Sequence, residues 1–318
     1  MFDVTALGEL LIDFAPKSVT DTGYPVLAAQ PGGAPGNFLA ALNKFGLKTA
    51  MIGKVGDDMF GRLLVKTLQS AGIDTRGVIL DPNQFTTLAF VSLDESGNRD
   101  FSFARKPGAD TCLTETEIPE SLLRNTRIFH FGTLSLTNEP AASATRKAVA
   151  LAKAHGLLVS LDPNLRKPLW KSEADAKAAI EWSLRQADIV KISDEEVDFL
   201  WGLSPEDGAY KLLQEYGVSL AYVTLGPKGC YAVTKHHQVT VDSPSGIHVV
   251  DTTGAGDIFG GSAMSRLLRT GKHPDELSEE ELRRIVRFAC TSASLSTQKH
   301  GGITSVPGES EVLAKMAE

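Results

Sequence analysis

The chain has 318 residues, and 42% of them are hydrophobic, which is enough to build a sizeable core. The formal net charge is −7 and the basic residues are scattered, so nucleic acid is not expected as a partner. Three widely spaced cysteines fit a reducing cytoplasm better than a disulfide framework or a metal site. The N-terminus lacks the basic and apolar segments of a signal peptide, and no apolar run approaches the roughly 20 residues of a membrane span. We therefore expect a cytoplasmic protein without membrane association.

The first third of the chain alternates patterns typical of strands and helices. Short apolar or β-branched runs predict strands, and runs with an apolar period of about 3.6 residues that stop at glycine predict helices. The predicted strands are 4–14, 49–55 and 78–80, and the predicted helices are 38–45 and 58–71. This βαβ rhythm predicts a parallel sheet with helices packed on it.

Two segments interrupt that rhythm. Residues 15–31 are rich in proline and glycine, and residues 86–103 contain two β-rich runs around a turn at 94–98. We predict that about residues 12–35 and 85–108 form a small β lid beside the main sheet. The aromatic face of the hairpin could close over a site. It could equally pack on the core, and the sequence leaves both interpretations open.

The rest of the chain resumes the alternation. The predicted strands are 127–131, 157–161, 189–192, 220–225, 230–233 and 239–241, and the predicted helices are 140–155 and 282–295. Ligands of parallel sheets bind beyond the carboxyl ends of the strands. Polar turns at 162–166, 193–196 and 226–229 follow three of these strands.

These strand ends have both structural and functional interpretations. The turn 162–166, Asp-Pro-Asn-Leu-Arg, is an ordinary turn composition, but its guanidinium is also a natural group for a phosphate or a sugar acid. The run from Ser193 to Glu196 fits a helix N-cap with an acidic first turn, and equally a site for hydrated Mg²⁺. Asp13, at the expected end of the first strand, is either solvated or a substrate contact.

A glycine pair opens the first predicted helix. Gly32 and Gly33 allow a ligand to approach the main chain closely, and Asn37 offers both a donor and an acceptor from the first turn. A turn followed by a helix cap accounts for the same residues without a ligand.

The run 249–257, Val-Val-Asp-Thr-Thr-Gly-Ala-Gly-Asp, predicts a short strand, a glycine turn and the start of a helix. The N–H groups of a helix N-terminus attract an anion, most often a phosphate. Asp257 would place a carboxylate beside that anion, which is useful if a hydroxyl must lose a proton while it attacks phosphorus. This stretch therefore favours phosphoryl transfer.

The run 249–257 also fits two structures that transfer no phosphate. Asp is common in first helical turns and Gly-x-Gly is common in turns, so the run can be purely structural. A dinucleotide fingerprint needs its third glycine one residue earlier than Gly260, and a strand after the helix instead of a second helical pattern. An NAD(P)-dependent oxidoreductase is therefore disfavoured, and the chain contains no P-loop motif.

Five motifs occur in the order seen in ribokinase-like carbohydrate kinases, also called the phosphofructokinase B family, which the chain resembles over almost its whole length. They are Gly-Gly-Ala-Pro-Gly-Asn at 32–37, Gly-Lys-Val-Gly-Asp-Asp at 53–58, Asp-Pro-Asn-Leu-Arg at 162–166, Val-Thr-Leu-Gly at 223–226 and Asp-Thr-Thr-Gly-Ala-Gly-Asp at 251–257. The resemblance implies a single domain over 1–318 with a three-layer α/β ribokinase-like fold. Its central sheet would be mostly parallel with helices on both faces, and the small β sheet would be its lid.

The resemblance also implies a role for each candidate residue. The implied catalytic residues are the general base Asp257, the anion-hole residues Gly254, Ala255 and Gly256, and Arg166. The residues implied to bind the sugar are Asp13, Gly32, Gly33, Asn37, Phe101, Phe103 and Arg105. Those implied to bind ATP are Lys191, Thr224, Gly226 and Gly229. Glu196 would organise Mg²⁺ through water, and Asp251 and Thr253 resemble a loop that binds K⁺ in many members.

Two positions depart from the family pattern. Ser193 stands in place of the asparagine of an Asn-x-x-Glu element, so Lys191 is expected to supply charge to the phosphates. His300-Gly301-Gly302 replaces the usual run near the cation loop.

The finer resemblance is to members that convert D-fructose and ATP into fructose 6-phosphate. A 2-keto-3-deoxygluconate kinase is the nearest alternative. A silent nucleotide or sugar sensor is the non-kinase alternative, although a sensor gains nothing from a base at Asp257. Sugar and ATP are thus the expected partners, and a homodimer through the lid is a further expectation.

Overall fold

The computed structural model describes residues 1–93 and 99–318, with the main chain alone for residues 92, 93 and 99–101; the predicted turn at 94–98 lies outside it. The strands in these ranges are β1 Phe2–Leu7, β2 Leu11–Val19, β3 Pro25–Gly32, β4 Thr49–Gly56, β5 Asp74–Asp81, β6 Thr87–Leu93, β7 Arg99–Ala104, β8 Thr126–Gly132, β9 Leu158–Asp162, β10 Ile189–Ser193, β11 Leu220–Thr224, β12 Cys230–Thr234 and β13 Gln238–Val241. The helices are α1 Ala34–Lys44, α2 Met59–Ser70, α3 Glu120–Arg124, α4 Ala141–Ala154, α5 Glu173–Leu184, α6 Asp194–Trp201, α7 Pro205–Tyr216, α8 Ala255–Thr270, α9 Glu279–Ser296 and α10 Glu309–Met316.

The larger sheet has the strand order β13-β12-β11-β10-β9-β8-β1-β4-β5. It is parallel from β5 to β11, and β12 and β13 add antiparallel strands at one edge. The chain moves outward from β1 to β4 and β5, and later crosses from β8 towards β13 on the other side of β1. Ligands of such open sheets bind beyond the carboxyl ends of the strands, where the order reverses.

Helices cover both faces of this sheet. In β11, Leu220 and Tyr222 pack into a core that includes α1, α8 and α9, whereas Ala221 and Val223 pack into a core that includes α4 to α7. Burial on both faces explains why the parallel strands are almost continuously apolar. The predicted three-layer α/β fold class is confirmed. Among the helices in the described ranges, none is long and apolar enough to cross a membrane.

The smaller sheet has four strands in the order β3-β2-β6-β7. The prediction of a single strand over 4–14, interrupted only at Gly8 and Glu9, is wrong, because the chain leaves the large sheet after Leu7 and enters the smaller sheet at Leu11. Asp13 therefore lies within β2, paired with Gln30 of β3, and not at the end of a central strand.

The stretch before α8 also differs from its prediction. The sequence pattern predicts a strand at Val249 and Val250, but these residues lie outside any strand and are 57% and 43% exposed. The N–H of Val250 instead donates to the carbonyl of Thr297 at 2.8 Å. This contact ties the approach to α8 to the end of α9.

Candidate active site

Three strand ends of the larger sheet meet beside the start of α8. β9 ends at Asp162, and β10 and β11 end at Ser193 and Thr224, which are paired in register. The carboxylate of Asp162 reaches across to Lys191 of β10, with Oδ2 3.0 Å from Nζ. The polar turns that follow these strands therefore lie at one edge of the sheet.

Two glycines shape the start of α8. Gly254 is the N-cap residue and has φ 74°, in the left-handed region that favours glycine. A Cβ at Gly256 would lie 3.0 Å from Nζ of Lys191, so the glycine lets the helix approach a cation. The N–H of Ala255 donates to the carbonyl of Thr252 at 3.2 Å, so this donor already has an acceptor within the turn. The positive end of the helix and the ammonium together make this corner attractive to an anion.

Asp257 lies in the first turn of α8, with both carboxylate oxygens held by amides. Oδ2 accepts from Nδ2 of Asn37 at 2.8 Å, and Oδ1 accepts from Nδ2 of Asn164 at 3.1 Å. Burial and the negative charge of Asp162 raise the pKa of Asp257 to about 7, although Asn37 and Lys191 oppose the rise. A carboxylate with a pKa near neutrality is suited to general-base catalysis.

Lys191 is the cation at the centre of this cluster. Burial lowers its pKa, but the charges of Asp162, Glu196 and Asp257 outweigh that effect, so the pKa is raised and the ammonium stays charged. Its position beside Gly256 gives the cavity a permanent positive charge at the helix start.

Glu196 joins two of the strand-end turns. Its Oε2 accepts from the N–H of Ser193 at 2.9 Å, which completes the capping box of α6. Its Oε1 accepts from the N–H of Leu165 at 2.7 Å, in the turn after β9. Burial raises the pKa of Glu196. Within the described ranges, no group of three or more His, Cys, Asp and Glu side chains is placed to hold a metal directly.

Two adjoining cavities share Asp257 on their walls. The larger has a volume of about 700 Å³ and the smaller about 280 Å³. The residues common to both are Phe103, Asn164, Arg166, Thr252, Gly254 and Asp257. A carboxylate at this boundary can act on a group held in one cavity while a second ligand occupies the other.

The smaller cavity collects most of the residues predicted to bind the sugar. Asp13, Gly33, Asn37 and Phe103 line it. Gly32 is not among the lining residues, but a Cβ there would be 2.6 Å from Oδ2 of Asp13. Strands of both predicted lid segments thus contribute residues to the same cleft as Asp257, and their contacts with a sugar stay predictions.

Arg105 is predicted to bind the sugar but is not among the residues that line this cavity. The side chain of Arg105 is 3% exposed, and its Nη2 lies 2.7 Å from Oδ2 of Asp110. Arg105 also donates to Oγ1 of Thr137 at 2.8 Å and to the carbonyl of Leu134 at 3.0 Å. Because Leu134 lines the smaller cavity, this geometry favours an indirect role for Arg105. The side chain of Phe101 lies outside the described part of the structure.

The residues predicted to bind ATP are spread more widely. Lys191 lines the larger cavity. Thr224 ends β11 and Gly226 follows that strand, and neither is among the described residues of the cavity wall. Gly229 has φ 113°, and a Cβ there would overlap the carbonyl oxygen of Val241. Gly229 is therefore required by the main chain whether or not a nucleotide is bound.

Asp251 and Thr253 lie in the turn that leads into α8. Asp251 is 5% exposed; its Oδ1 accepts from the N–H of Thr253 at 2.8 Å, and its Oδ2 accepts from the N–H of Gly301 at 3.0 Å. The carboxylate therefore fastens the turn before α8 to the loop after α9.

Two further residues of the smaller cavity are not singled out by the sequence analysis. Glu9 is 3% exposed and its carboxylate accepts from the N–H of Ala34 at 2.9 Å; burial raises its pKa to about 7. An acid within an apolar run is unusual enough to have indicated it. Asn164 belongs to a turn that the sequence does single out, but the target of its amide becomes visible only when α8 is packed beside it.

The chain matches the family model of the pfkB carbohydrate kinases over residues 1–309. A relative, fructokinase-2 of Solanum lycopersicum, is 40% identical over 315 residues, which cover 98% of this chain and 94% of the relative. The chain therefore belongs to the pfkB family of carbohydrate kinases.

Solved structures give the same result. A fructokinase with bound ATP from Xylella fastidiosa has a TM-score of 0.90 and 28% identity, over 99% of this chain and 98% of that one. A double-mutant fructokinase from Vibrio cholerae O395, in a form bound to fructose, ADP and potassium ion, has a TM-score of 0.87 and 31% identity, over 99% and 98% of the two chains.

Proposed function

We propose that this protein is an ATP-dependent fructokinase that phosphorylates the 6-hydroxyl of D-fructose. The observation that carries the proposal is the position of Asp257 on the wall shared by two cavities. The larger cavity, with Lys191 and the start of α8, suits the triphosphate of ATP. The smaller cavity suits the sugar. The similarity to a fructokinase over 98% of the chain supports this choice of substrate.

The proposed mechanism begins with proton transfer to Asp257. Its carboxylate takes the proton of the attacking hydroxyl, the oxygen bonds to the γ-phosphorus, and the bond from that phosphorus to ADP breaks. The proton leaves Asp257 for solvent after the sugar phosphate departs. Lys191, Arg166 and the N-terminus of α8 face the charge that develops on the phosphoryl oxygens and stabilise it.

The charge of the smaller cavity favours a neutral sugar over a sugar acid. The charged residues on its wall are Glu9, Asp13, Arg166 and Asp257. A substrate carboxylate would meet three acidic side chains and one cation there, and like charges at short range repel strongly where water is scarce. Carboxylates and the amide of Asn37 are instead good partners for hydroxyl groups. This balance disfavours 2-keto-3-deoxygluconate as the substrate.

Mg²⁺ is the proposed companion of ATP. The residues Glu195, Glu196 and Asp198 place carboxylates on the wall of the larger cavity, and Mg²⁺ prefers few carboxylates and several waters. Glu196 would act through water, because both of its oxygens already accept main-chain N–H groups. When bound, Mg²⁺ neutralises charge on the phosphates.

A monovalent cation is proposed beside Asp251 and Thr253. The buried carboxylate of Asp251 holds two loops together immediately before α8, and a cation there would add to the positive end of that helix. Exchange of KCl for choline chloride at constant ionic strength should lower kcat, and an unchanged kcat would remove this part of the proposal.

The residues 1–318 are proposed to act as one domain, with the smaller sheet as a lid and as the surface of a cytoplasmic homodimer. Apolar side chains on or beside the smaller sheet are exposed, including Tyr24 at 70% and Val19 at 67%. Such patches mark interaction surfaces. All three cysteines are free, as a reducing compartment would keep them. Light scattering should give the mass of a dimer, and Tyr24→Ser should shift it towards the monomer; a monomeric wild type would contradict the proposal.

The function is tested by assaying the purified protein with Mg·ATP and four acceptors: fructose, glucose, ribose and 2-keto-3-deoxygluconate. Fructose should give the highest kcat/KM, and ³¹P NMR should show fructose 6-phosphate. A preference for the sugar acid would select the alternative kinase. Nucleotide binding without ADP release on any sugar would favour a sensor.

A further inference from the structure

Asn164 has a main-chain conformation that side chains rarely adopt. Its φ is 47°, and among the described residues it is the only non-glycine residue with a positive φ. Asn tolerates this left-handed region better than most residues, but the conformation still costs free energy. Residues held in this way persist where the surrounding structure enforces them, and they cluster at functional sites.

Hydrogen bonds pin the chain on both sides of Asn164. They join Thr133 N to Pro163 O at 3.3 Å, Asn164 N to Asp162 Oδ1 at 3.1 Å and Leu165 N to Glu196 Oε1 at 2.7 Å. The second oxygen of Asp162 accepts from Lys191 at 3.0 Å. The residue after β8, strand β10 and helix α6 thus all contribute to holding one residue in an unfavourable conformation.

The pinned turn directs the amide of Asn164 at Asp257. Nδ2 of Asn164 lies 3.1 Å from Oδ1, while Asn37 holds the opposite oxygen from α1 at 2.8 Å. Two donors on opposite oxygens fix the rotation of the carboxylate about its own bond. Each oxygen keeps a further lone pair to accept a proton, and neither amide nitrogen can take that proton itself.

We propose that Asn164 is a positioning residue, whose enforced main chain and amide orient the carboxylate of Asp257 towards the attacking hydroxyl. The inference rests on the proposed function, because it takes Asp257 as the base. This role explains why the main chain of Asn164 is held at an unusual φ, which an ordinary turn after β9 does not require.

Asn164→Gly is the most direct variant, because glycine adopts the left-handed conformation without strain and removes only the amide. We expect kcat to fall roughly 10- to 100-fold, the range that a misplaced catalytic group costs. The KM values for sugar and ATP should stay within about twofold and Tm should not fall, since ground-state binding and the fold are retained. If Asn164 had only a structural role, Asn164→Gly would leave kcat unchanged.

Asn164→Asp supplies a second readout. Aspartate also tolerates the left-handed region, but it places a carboxylate against Asp257, and a like charge at that distance raises a carboxyl pKa. Asp162, Lys191 and Arg166 also act on the pKa of Asp257, and they are unchanged in this variant. In the pH profile of kcat/KM, the acidic side, where activity falls as Asp257 is protonated, should therefore move to higher pH by about one unit or more. An unmoved limb would contradict the contact.

The double variant Asn164→Gly/Asp257→Asn separates the possible failures. If Asn164 acts through Asp257, removing its amide should have no further effect on the residual kcat of Asp257→Asn. If Asn164→Gly lowers kcat equally in the wild type and in Asp257→Asn, or if Asn164→Gly keeps the wild-type kcat, the inference about Asn164 is overturned but the proposed function is not. A wild-type kcat in Asp257→Asn would instead overturn the proposed function.

Discussion

Asp162 and Lys191 form a buried ion pair, with Oδ2 3.0 Å from Nζ and side chains that are 7% and 13% exposed. The pair lies between the turn that carries Asn164 and the start of α8. Its two charges act on Asp257 in opposite directions: Asp162 raises the pKa of that carboxyl, and Lys191 lowers it. The ion pair therefore influences both the attraction of phosphate to this corner and the pKa of the proposed base, Asp257.

Exchange of Lys191 for Met should raise the KM for ATP and move the acidic limb of kcat/KM to higher pH. Both effects follow from the loss of one positive charge beside the phosphates and beside Asp257. Because Asp162 is left buried without its cation, stability should also fall, by about 3–5 kcal/mol.

The double variant Lys191→Met/Asp162→Asn is the matched control. It should regain much of the lost stability in thermal melts, since no unpaired charge is buried, but not the affinity for ATP. Full recovery of the ATP KM in the double variant would show that Lys191 serves the fold alone.

The pH dependence of kcat/KM for fructose should report the free enzyme's base. Burial raises the pKa of Asp257 to about 7, so activity should fall as the pH drops through about 7 and reach a plateau above it. Since the folded-state pKa lies above the unfolded value of 3.8, the same group contributes stability that is present at low pH and lost as pH rises through about 7.

Glu9 shares a pKa of about 7, so it needs a control of its own. Glu9→Gln should keep the acidic limb of the rate profile. If the acidic limb of the rate profile disappears in Glu9→Gln, the titrating group is Glu9 and not Asp257.

Glu196→Gln should raise the Mg²⁺ concentration needed for half-maximal rate, because an uncharged amide holds hydrated Mg²⁺ less well than a carboxylate. The exchange also weakens the bonds to Ser193 and Leu165, so Tm should fall, at a cost of about 1–3 kcal/mol. Ser193→Ala, which removes the cap acceptor of α6 but keeps the carboxylate, should lower Tm with little change in the Mg²⁺ titration. Equal Mg²⁺ curves for Glu196→Gln and wild type would remove Glu196 from the metal site.

Arg105→Ala should raise the KM for sugar more than the KM for ATP, and it should also destabilise the fold. The first effect follows from the loosening of Leu134 beside the smaller cavity. The second follows from a buried and unpaired Asp110, which costs about 3–5 kcal/mol. Arg105→Ala/Asp110→Asn should recover stability and keep the raised sugar KM. Equal changes in both KM values would indicate a general closure or folding defect.

Elements of the fold were predictable where glycines, caps and apolar periodicity in the local sequence determine the structure. The glycines before Asp257 and the apolar period after it predict α8, and the helix predicted over 282–295 lies within α9. The strand prediction over 4–14 is wrong because Gly8 and Glu9 are more than a minor interruption of an apolar run. They are the point at which the chain passes from one sheet to the other.

The site was predictable at its strand ends but not in its contacts. The position of Asp257 at a helix start follows from the glycine turn and the apolar period after it, whereas the role of Lys191 is implied only by the family resemblance. The contacts of other side chains do not follow from the sequence. Arg105 forms an ion pair with Asp110, and Asn164 donates to Asp257, which is 93 residues further along the chain. Such pairings depend on tertiary packing, which periodicity does not encode.

The most direct test of the proposed mechanism is the kcat of Asp257→Asn with fructose and Mg·ATP. Asn keeps the size of the side chain but cannot accept the proton, so kcat should fall roughly 10² to 10⁴-fold with little change in either KM. Asp175→Asn makes the same exchange in the exposed first turn of α5 and should keep the wild-type rate. A wild-type kcat in Asp257→Asn would mean that Asp257 only begins a helix, and it would contradict the mechanism.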